Sequence, residues 1–262
     1  MISIMGILNV TPDSFSDGGL YLNPDKALEK ALQMEEEGAD MIDIGGESTR
    51  PGALPVSLKD ELERVLPILK KIAPRVKIPI SMDTSKAAVA SACLNEGASF
   101  INDVSALSDP EMITVVARAD VPVILMHRKG EPQTMQKNPF YEDVVSEVFE
   151  FLKERIDFCL CHSIKKEKIF VDPGIGFGKT TEHNLSLLQN LKTLQALGCP
   201  IVVGASRKNF LRNLFGEKPE EVLAGSLTAA LLAVERGADI LRVHDVAKTK
   251  EVIRLANKNN FT

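Results

Sequence analysis

A polar or charged residue follows each short apolar run of this sequence. If the runs are parallel strands, these residues stand at the carboxyl ends of the strands, where catalytic groups often lie. These residues are Asn9, Asp43, Asp83, Asn102, Asp103, His127, Arg128, Asp172, Ser206, Arg207, Lys208, Arg242 and His244. One such residue would mean little, because helix caps also need Asp, Asn and Ser. A polar residue after every run is hard to assign to capping, and it predicts one site that all of them share.

Two kinds of chemistry are present among these residues and the loops beside them. One set is cationic: Arg50, Lys208, Arg242 and His244. In a chain of formal net charge −5, such a set is typical of a site for phosphate groups. The other set accepts hydrogen bonds: Asp83, Asn102 and Asp172. These acceptors suit a flat heterocycle with adjacent N–H donors, and the alternative for the carboxylates is structural salt bridges with the arginines.

The composition argues against several classes of protein. A hydrophobic content of 44% supports a substantial core and argues against a disordered chain. With 31 Lys+Arg, 36 Asp+Glu and no basic block, the chain is not expected to bind nucleic acid or a membrane surface. No apolar run reaches the ~18 residues that span a bilayer, and the N-terminus lacks the basic region of a signal peptide. We therefore expect a cytoplasmic protein.

The cysteines are predicted to be structural. Cys93, Cys159, Cys161 and Cys199 lack the spacing of a disulfide framework, and a chain of 262 residues does not need one. Cys159 and Cys161 stand close to His162, but metal-ligand motifs use other spacings.

The elements that must position the polar residues alternate between strands and helices. Apolar runs rich in Ile and Val predict strands at residues 2–8, 41–44, 78–82, 100–104, 121–126, 169–171, 201–203 and 240–243. Asn23-Pro24, Ser57 with Asp60, and Pro219 are typical of helix starts, and Gly38 and Gly237 of helix ends.

This alternation predicts an α/β fold, a (β/α)8 TIM barrel in a single domain over residues 1–262. A doubly wound sheet is the alternative, because strand order is invisible in the sequence. In a barrel the carboxyl ends of all strands meet at one rim, where the polar residues would converge.

Three loops stand out. Residues 11–19 and 45–52 are rich in glycine, proline and small polar residues, and loops of this kind can close over a ligand and exclude water. The third contains Gly174-x-Gly176-x-Gly178, whose spacing differs from the dinucleotide fingerprint. We interpret it as a flexible loop that brings Phe177 near the ligand. Residues 225–234 are apolar and rich in small side chains, which indicates either a subunit contact or a helix buried against the barrel.

Several of these segments resemble the motifs of one enzyme family. Residues 6–19 (GILNVTPDSFSDGG) and 43–52 (DIGGESTRPG) resemble the two signatures of the dihydropteroate synthase family, the pterin-binding TIM barrels. Residues 172–179 (DPGIGFGK), 206–208 (SRK) and 242–244 (RVH) match later motifs in order. The resemblance spans residues 2 to about 257 and implies the condensation of 6-hydroxymethyl-7,8-dihydropterin diphosphate with 4-aminobenzoate. The products are 7,8-dihydropteroate and diphosphate, the cofactor is Mg²⁺, and sulfonamides compete with the aminobenzoate.

The resemblance also implies roles for individual residues, and a homodimer. Pterin-binding residues would be Thr49, Asp83, Asn102, Asp172 and Lys208. Diphosphate-binding residues would be Arg50, Arg242 and His244, with Asn9 helping to bind Mg²⁺. The aminobenzoate pocket would be framed by Phe15, Pro51, Phe177 and Lys208. Asn209 stands where some members have a serine that holds the aminobenzoate carboxylate.

The groups present favour a dissociative (SN1-like) displacement without a covalent nucleophile. The pterin can stabilise positive charge on its methylene carbon, while cations neutralise the departing diphosphate. The expected catalytic residues are Asp17, as the residue that stabilises the carbocation, with Lys208, Arg242 and His244.

Two other functions fit part of the pattern. A methyltetrahydrofolate-type methyltransferase barrel would explain the acceptor residues, but it explains neither residues 11–19 nor residues 206–208, and no cobalamin-binding domain is attached. A non-catalytic pterin-binding paralogue is the second alternative, although every functional position apart from Asn209 carries a plausible catalytic residue.

Overall fold

A computed structural model of the chain describes residues 2–11, 22–50, 52–216 and 218–258. Phe15 and Asp17 of the first signature loop and Pro51 of the second lie outside the described residues. The roles expected of these three residues therefore stay predictions.

Eight parallel strands form the centre of the molecule. They are β1 Ser3–Asn9, β2 Met41–Gly45, β3 Ile80–Asp83, β4 Phe100–Asp103, β5 Val123–Met126, β6 Ile169–Asp172, β7 Val202–Val203 and β8 Ile240–Val243. The hydrogen-bonded order is β6-β5-β4-β3-β2-β1-β8-β7. A parallel bridge between Val171 and Ile201 joins the two outer strands. The predicted barrel is confirmed, and the doubly wound alternative is wrong because its two sheet edges would stay apart.

The strand ends differ from the predicted ones by one or two residues. The predicted strands 78–82 and 121–126 begin only after Pro79 and Pro122. Proline has no N–H to donate to a neighbouring strand, so regular pairing starts beyond it. Their carbonyls still accept hydrogen bonds from Ile42 and Ile101, at 3.1 and 3.0 Å.

The helices surround the barrel, and the three starts that the sequence predicts are found at Pro24, Leu58 and Pro219. They are α1 Pro24–Glu36, α2 Leu58–Ile72, α3 Ala87–Asn95, α4 Met112–Ala119, α5 Val144–Cys161, α6 Thr181–Gln189, α7 Asn209–Phe215, α8 Pro219–Glu235 and α9 Val246–Lys258. Short 3-10 turns cover Lys166–Lys168 and Leu191–Leu197. The Asn23 side chain accepts a hydrogen bond from the N–H of Asp25 at 2.8 Å, and the Ser57 hydroxyl accepts one from Asp60 at 3.1 Å.

Two apolar layers hold the barrel. The outward faces of the strands pack against the helices in one large core that includes Leu8, Ile44 and Leu125. A second cluster fills the inside near the amino ends of the strands: Met5, Phe100, Ile124, Val202 and Ile240. This cluster closes the bottom of the barrel, and the buried charged residues Asp43, Asp83 and Asp172 lie near the carboxyl ends of their strands.

Helix α8 accounts for the small-residue segment 225–234. Gly225, Ser226, Ala229, Ala230 and Ala233 are buried within the chain itself. A Cβ atom on Gly225 would lie 2.8 Å from the Phe215 ring, so the small side chain lets α7 and α8 approach closely. These residues therefore have a packing role whether or not the helix also contacts a second subunit.

Within the described residues no helix is long and apolar enough to cross a bilayer. The cysteines are free thiols, and Cys93, Cys159 and Cys199 are buried whereas Cys161 is exposed.

The loop after β6 packs closely against the end of β5. Because of this packing, Gly174 and Gly52 should differ in the free energy of unfolding that is lost when each is replaced by alanine. Gly174 has φ +67°, and a Cβ atom there would lie 1.8 Å from the His127 carbonyl oxygen. Gly52 has φ +84° with no described atom within 4 Å of its Cβ position. Gly52→Ala should cost about 1–2 kcal/mol in free energy of unfolding, from backbone strain alone. Gly174→Ala should cost about 2–5 kcal/mol, because the clash adds to the strain. Denaturant unfolding measures both, and equal losses would contradict this packing.

Candidate active site

Side-chain alternation decides which strand ends face the barrel interior. In a strand, successive side chains point to opposite faces, so only one residue of each polar pair can enter the barrel. Asn102 on β4 and Met126 on β5 line an internal pocket. Asp103 and His127, the next residues, are buried on the other face. The prediction that these two residues share the mouth of the barrel is therefore wrong.

Arg128 also lies away from the mouth. Its guanidinium forms an ion pair with Glu131 at 3.2 Å, and it lines neither of the pockets described below. The sequence already indicates which side chains face the barrel interior. Because side chains alternate along β5, Met126 is the inward residue and His127 the outward one.

An outer cavity of about 760 Å³ opens at the carboxyl ends of the strands. Its lining includes the following predicted site residues: Asn9, Thr49, Arg50, Asp83, Phe177, Lys208, Asn209, Arg242 and His244. The cationic residues therefore share one cavity, although β1, the β2–α2 loop, the β7–α7 loop and β8 supply them from distant parts of the chain.

A narrower inner pocket continues from this cavity into the barrel. Its polar lining consists of Thr49, Asp83, Asn102, Asp172, Lys208 and Arg242. Apolar side chains complete it, among them Val104, Met126 and Ile175. Asn102 and Asp172 line only the inner pocket, as the sequence predicts, and Arg50 and His244 line only the outer cavity. Asp83, Lys208 and Arg242 line both.

Arg242 is the centre of the inner pocket. Its Nε lies 2.6 Å from Asp43 Oδ2, and its terminal nitrogen lies 2.6 Å from Asp83 Oδ2. Asp43, which is fully buried, also accepts a hydrogen bond from the Asn102 amide at 3.0 Å. The salt-bridge alternative therefore holds for Asp83, and Asp43 connects Asn102, a predicted pterin-binding residue, to Arg242, a predicted diphosphate-binding residue. Sequence reasoning named Asp43 only as a strand end.

Burial shifts the pKa values of ionisable groups in both pockets. It raises the pKa of Asp83 to about 7 against the opposing effect of Arg242, and it also raises the pKa of Asp172. Burial, followed by the charge of Arg242, lowers the pKa of Lys208 to about 7. The pKa of His244 lies well below its usual range, mainly because of burial. His244 is therefore a neutral imidazole in this site, and a bound anion would favour the charged form of Lys208.

A buried ion network holds the loop that carries Thr49 and Arg50. The Lys86 ammonium bridges the carboxylates of Glu47, in that loop, and Glu61, on α2. Glu61 is fully buried and also accepts a hydrogen bond from the Thr84 hydroxyl at 2.7 Å. Sequence analysis missed Glu61 and Lys86, although Glu61 stands on the buried stripe of α2, four residues before Val65.

The loops after β7 and β8 are tied to each other. Arg207 has φ +56°, an unusual value for a residue other than glycine, and its guanidinium binds both Asp245 oxygens at 3.0 and 2.6 Å. The Ser206 hydroxyl lies 3.1 Å from His244 Nδ1. These contacts place Lys208, the next residue along the chain, in both pockets.

Several known proteins are similar to this chain in sequence and in fold. A family model described as pterin binding enzyme matches residues 5–244. Dihydropteroate synthase of Haemophilus influenzae is 47% identical over 252 residues, covering 96% of this chain and 92% of the relative. The synthase of Bacillus subtilis is 43% identical over 254 residues, covering 97% and 86%.

The chain belongs to the dihydropteroate synthase family. Solved structures of the family have the same fold. The Yersinia pestis synthase, solved as a sulfonamide drug complex, superposes with a TM-score of 0.95 at 43% identity and covers 99% of this chain and 94% of its own. The Xanthomonas albilineans synthase in complex with 7,8-dihydropteroate gives a TM-score of 0.89 at 43% identity, covering 100% and 94%. As a member of the synthase family, the chain is an enzyme, a pterin-binding transferase on a TIM barrel.

The metal expected from this family has one predicted protein ligand here. Asn9 reaches the outer cavity from the end of β1. Among the described residues there is no group of three or more His, Cys, Asp or Glu side chains that could hold a metal ion. Mg²⁺ usually keeps several waters and binds through one or two protein oxygens together with substrate phosphates. A single amide oxygen beside a cationic anion site fits that pattern.

The outward-facing His127 generates a pH prediction for this member of the synthase family. Burial, followed by the charge of Lys179, lowers its pKa to about 2. Unfolding therefore takes up a proton at His127 between pH 6.5 and 2, so stability falls as the pH drops through this range. The contribution of one full proton is about 1.4 kcal/mol per pH unit. His127→Gln should flatten the fall in free energy of unfolding between pH 6 and pH 5.

Denaturant titrations at a series of pH values measure this slope. His162→Gln, which changes an exposed histidine at the end of α5, is the control and should keep the wild-type slope. Identical slopes for wild type and His127→Gln would contradict a buried neutral His127.

Proposed function

We propose that the chain condenses 6-hydroxymethyl-7,8-dihydropterin diphosphate with 4-aminobenzoate, forming 7,8-dihydropteroate and diphosphate in folate biosynthesis. The observation that carries the proposal is the two-level site, with acceptors in the inner pocket and cations around the outer cavity. Relatives support it, since the Xanthomonas albilineans synthase, 46% identical to this chain, has been solved with 4-aminobenzoic acid.

The inner pocket suits the pterin ring. Asp83, Asn102 and Asp172 offer oxygen acceptors for the ring's adjacent N–H groups, and Lys208 and Thr49 lie beside them. A carboxylate that accepts two parallel N–H bonds recognises such a heterocycle specifically. Because Arg242 is paired with Asp83, the ring must share or displace that contact when it binds.

The outer cavity suits the diphosphate. Arg50, Arg242 and His244 line this cavity, which a group extending outward from the inner pocket would enter. Guanidinium groups match phosphate oxygens in geometry as well as in charge. Asn9 would help hold Mg²⁺ there, and the bound metal would supply further charge neutralisation to the diphosphate.

The aminobenzoate would lie at the boundary between the two levels. Phe177 offers a ring face, and the Lys208 ammonium stands 4.0 Å from the centroid of that ring. Asn209 also lines the cavity, where its amide can donate to a carboxylate. Phe15 and Pro51 are proposed to complete the pocket.

The reaction follows from these positions as a dissociative displacement. The bond from the methylene carbon to the diphosphate oxygen breaks, and positive charge on the carbon spreads into the pterin ring. Arg242, His244 and Lys208 stabilise the negative charge that develops on the departing diphosphate. Asp17 is the proposed partner of the cation. The aminobenzoate nitrogen then bonds to the carbon and releases a proton.

We propose that the enzyme acts as a cytoplasmic homodimer. Free thiols at all four cysteines agree with a reducing compartment. Leu214 and Phe215 at the end of α7 are about half exposed, which offers apolar surface for a second subunit.

An assay of diphosphate release tests the function. With pterin diphosphate and Mg²⁺, release should accelerate strongly when 4-aminobenzoate is added, because the amine captures the carbocation. Arg242→Ala should lower kcat/KM by about 10²–10³-fold, the usual effect of losing one preorganised charge contact, and Asp172→Ala should also remove most of the turnover.

The control is Arg128→Ala, which removes an arginine that follows β5 but lines neither pocket, and its rate should equal that of the wild type. Circular dichroism checks that each variant is folded. Pterin binding without aminobenzoate-dependent release would show a non-catalytic paralogue and would overturn the proposal, as would wild-type kcat/KM in Arg242→Ala.

A further inference from the structure

Lys179 is a buried lysine that the proposed chemistry does not use. The residue is 2% exposed, and it lines neither the outer cavity nor the inner pocket. Its nitrogen stands 2.9 Å from His127 Nδ1, 3.0 Å from the Gly174 carbonyl and 3.1 Å from the Phe177 carbonyl. An ammonium has three N–H donors, and these three close acceptors use all of them.

This arrangement fixes the state of His127. Burial lowers the pKa of Lys179 to about 7. In its ammonium form Lys179 donates to His127 Nδ1, and the imidazole is then neutral with its proton on Nε2. Burial favours the same neutral form, and Phe151 packs edge-on against the ring at 4.9 Å between ring centroids. The outward-facing residue of β5 therefore serves as an acceptor for the lysine.

The rest of the loop is tied down as well. The Gln136 amide donates to the Gly176 carbonyl at 2.7 Å, and the Tyr141 hydroxyl donates to the Gly178 carbonyl at 2.9 Å. These hydrogen bonds hold the glycine loop in place, which differs from the flexible loop that the sequence predicts. Lys179 is the residue that binds the carbonyl of Phe177, whose ring forms part of both pockets.

The burial of a charge here needs an explanation. An ammonium away from water is costly, and replacing buried ionic groups by apolar ones often leaves stability unchanged or improves it. A buried cation that binds two carbonyls of one loop is therefore better explained by the conformation it selects than by the stability it adds. That conformation places the Phe177 ring beneath the Lys208 ammonium.

We propose that Lys179, with neutral His127 as its acceptor, is a positioning residue that sets the Phe177 wall against which 4-aminobenzoate binds. The inference rests on the proposed function, because it assigns the Phe177–Lys208 surface to that substrate. Lys179 touches neither substrate. It acts through the backbone of the loop, and so its loss should change aminobenzoate binding more than pterin binding.

Lys179→Met, which keeps the length of the side chain without its donors, tests the proposal by steady-state kinetics. The KM for 4-aminobenzoate should rise about tenfold, which corresponds to about 1.4 kcal/mol. The affinity for pterin diphosphate, measured by calorimetry, should stay within about twofold. Equal weakening of both substrates, or no change in either, would overturn the proposal, because a general loss of structure does not discriminate between substrates.

Variants of His127 test the same geometry if Lys179→Met does not fold. His127→Gln keeps an acceptor oxygen for the lysine and should retain the wild-type KM for 4-aminobenzoate, whereas His127→Leu removes the acceptor and should raise it. The matched control is Tyr141→Phe, which removes the hydrogen bond to Gly178 at the other end of the loop and should leave the KM unchanged. A rise as large in Tyr141→Phe would show that any loosening of the loop is sufficient, and would contradict a specific role for Lys179.

A measurement without substrates separates this inference from the proposed function. If the wild-type chain showed no aminobenzoate-dependent diphosphate release, the proposed function would fail on its own. Amide hydrogen exchange of residues 174–178 would still report on Lys179, and it should be about tenfold faster in Lys179→Met than in the wild type. Unchanged exchange would show that the ammonium does not hold the loop.

Discussion

The Arg242 guanidinium is buried at the carboxyl end of the barrel and must be paired there, because an isolated charge away from water is very costly. Asp43 on β2 and Asp83 on β3 pair with it, so one side chain from β8 connects three strands around the mouth. The charge of Arg242 is therefore already neutralised by carboxylates of the barrel. Arg50 and Lys208 also line the outer cavity, where an incoming anion would meet them.

The same constraint explains why the site has two levels. Apolar residues fill the amino end of the barrel, so ligand groups can enter only from the carboxyl end. Asn102 and Asp172 lie only in the inner pocket and Arg50 and His244 only around the outer cavity, while Arg242 and Lys208 connect the two levels. Two lysines hold the surrounding loops from outside the site: the partly exposed Lys86 holds the loop of Arg50, and the buried Lys179 holds the loop of Phe177. The side chains that line the pockets from these loops are thus held by contacts outside the pockets.

Local signals in the sequence predicted the barrel and most of the residues at its mouth. Apolar runs and caps such as Asn23 depend on near neighbours in the chain, and the structure agrees with them to within a residue or two. The orientation of Asp103 and His127 was readable from strand alternation and was missed. The pairing of Asp43 with Arg242 was not readable, because the two residues are 199 positions apart and only the closed barrel brings them together.

The most direct test of this account is a crystal structure of the chain with a non-reactive pterin diphosphate analogue and Mg²⁺. The account predicts a ring bound in the inner pocket, within hydrogen-bond distance of Asp83, Asn102 and Asp172, with the phosphates against Arg50 and His244. A ring bound in the outer cavity, above an unchanged Arg242–Asp83 pair, would contradict it.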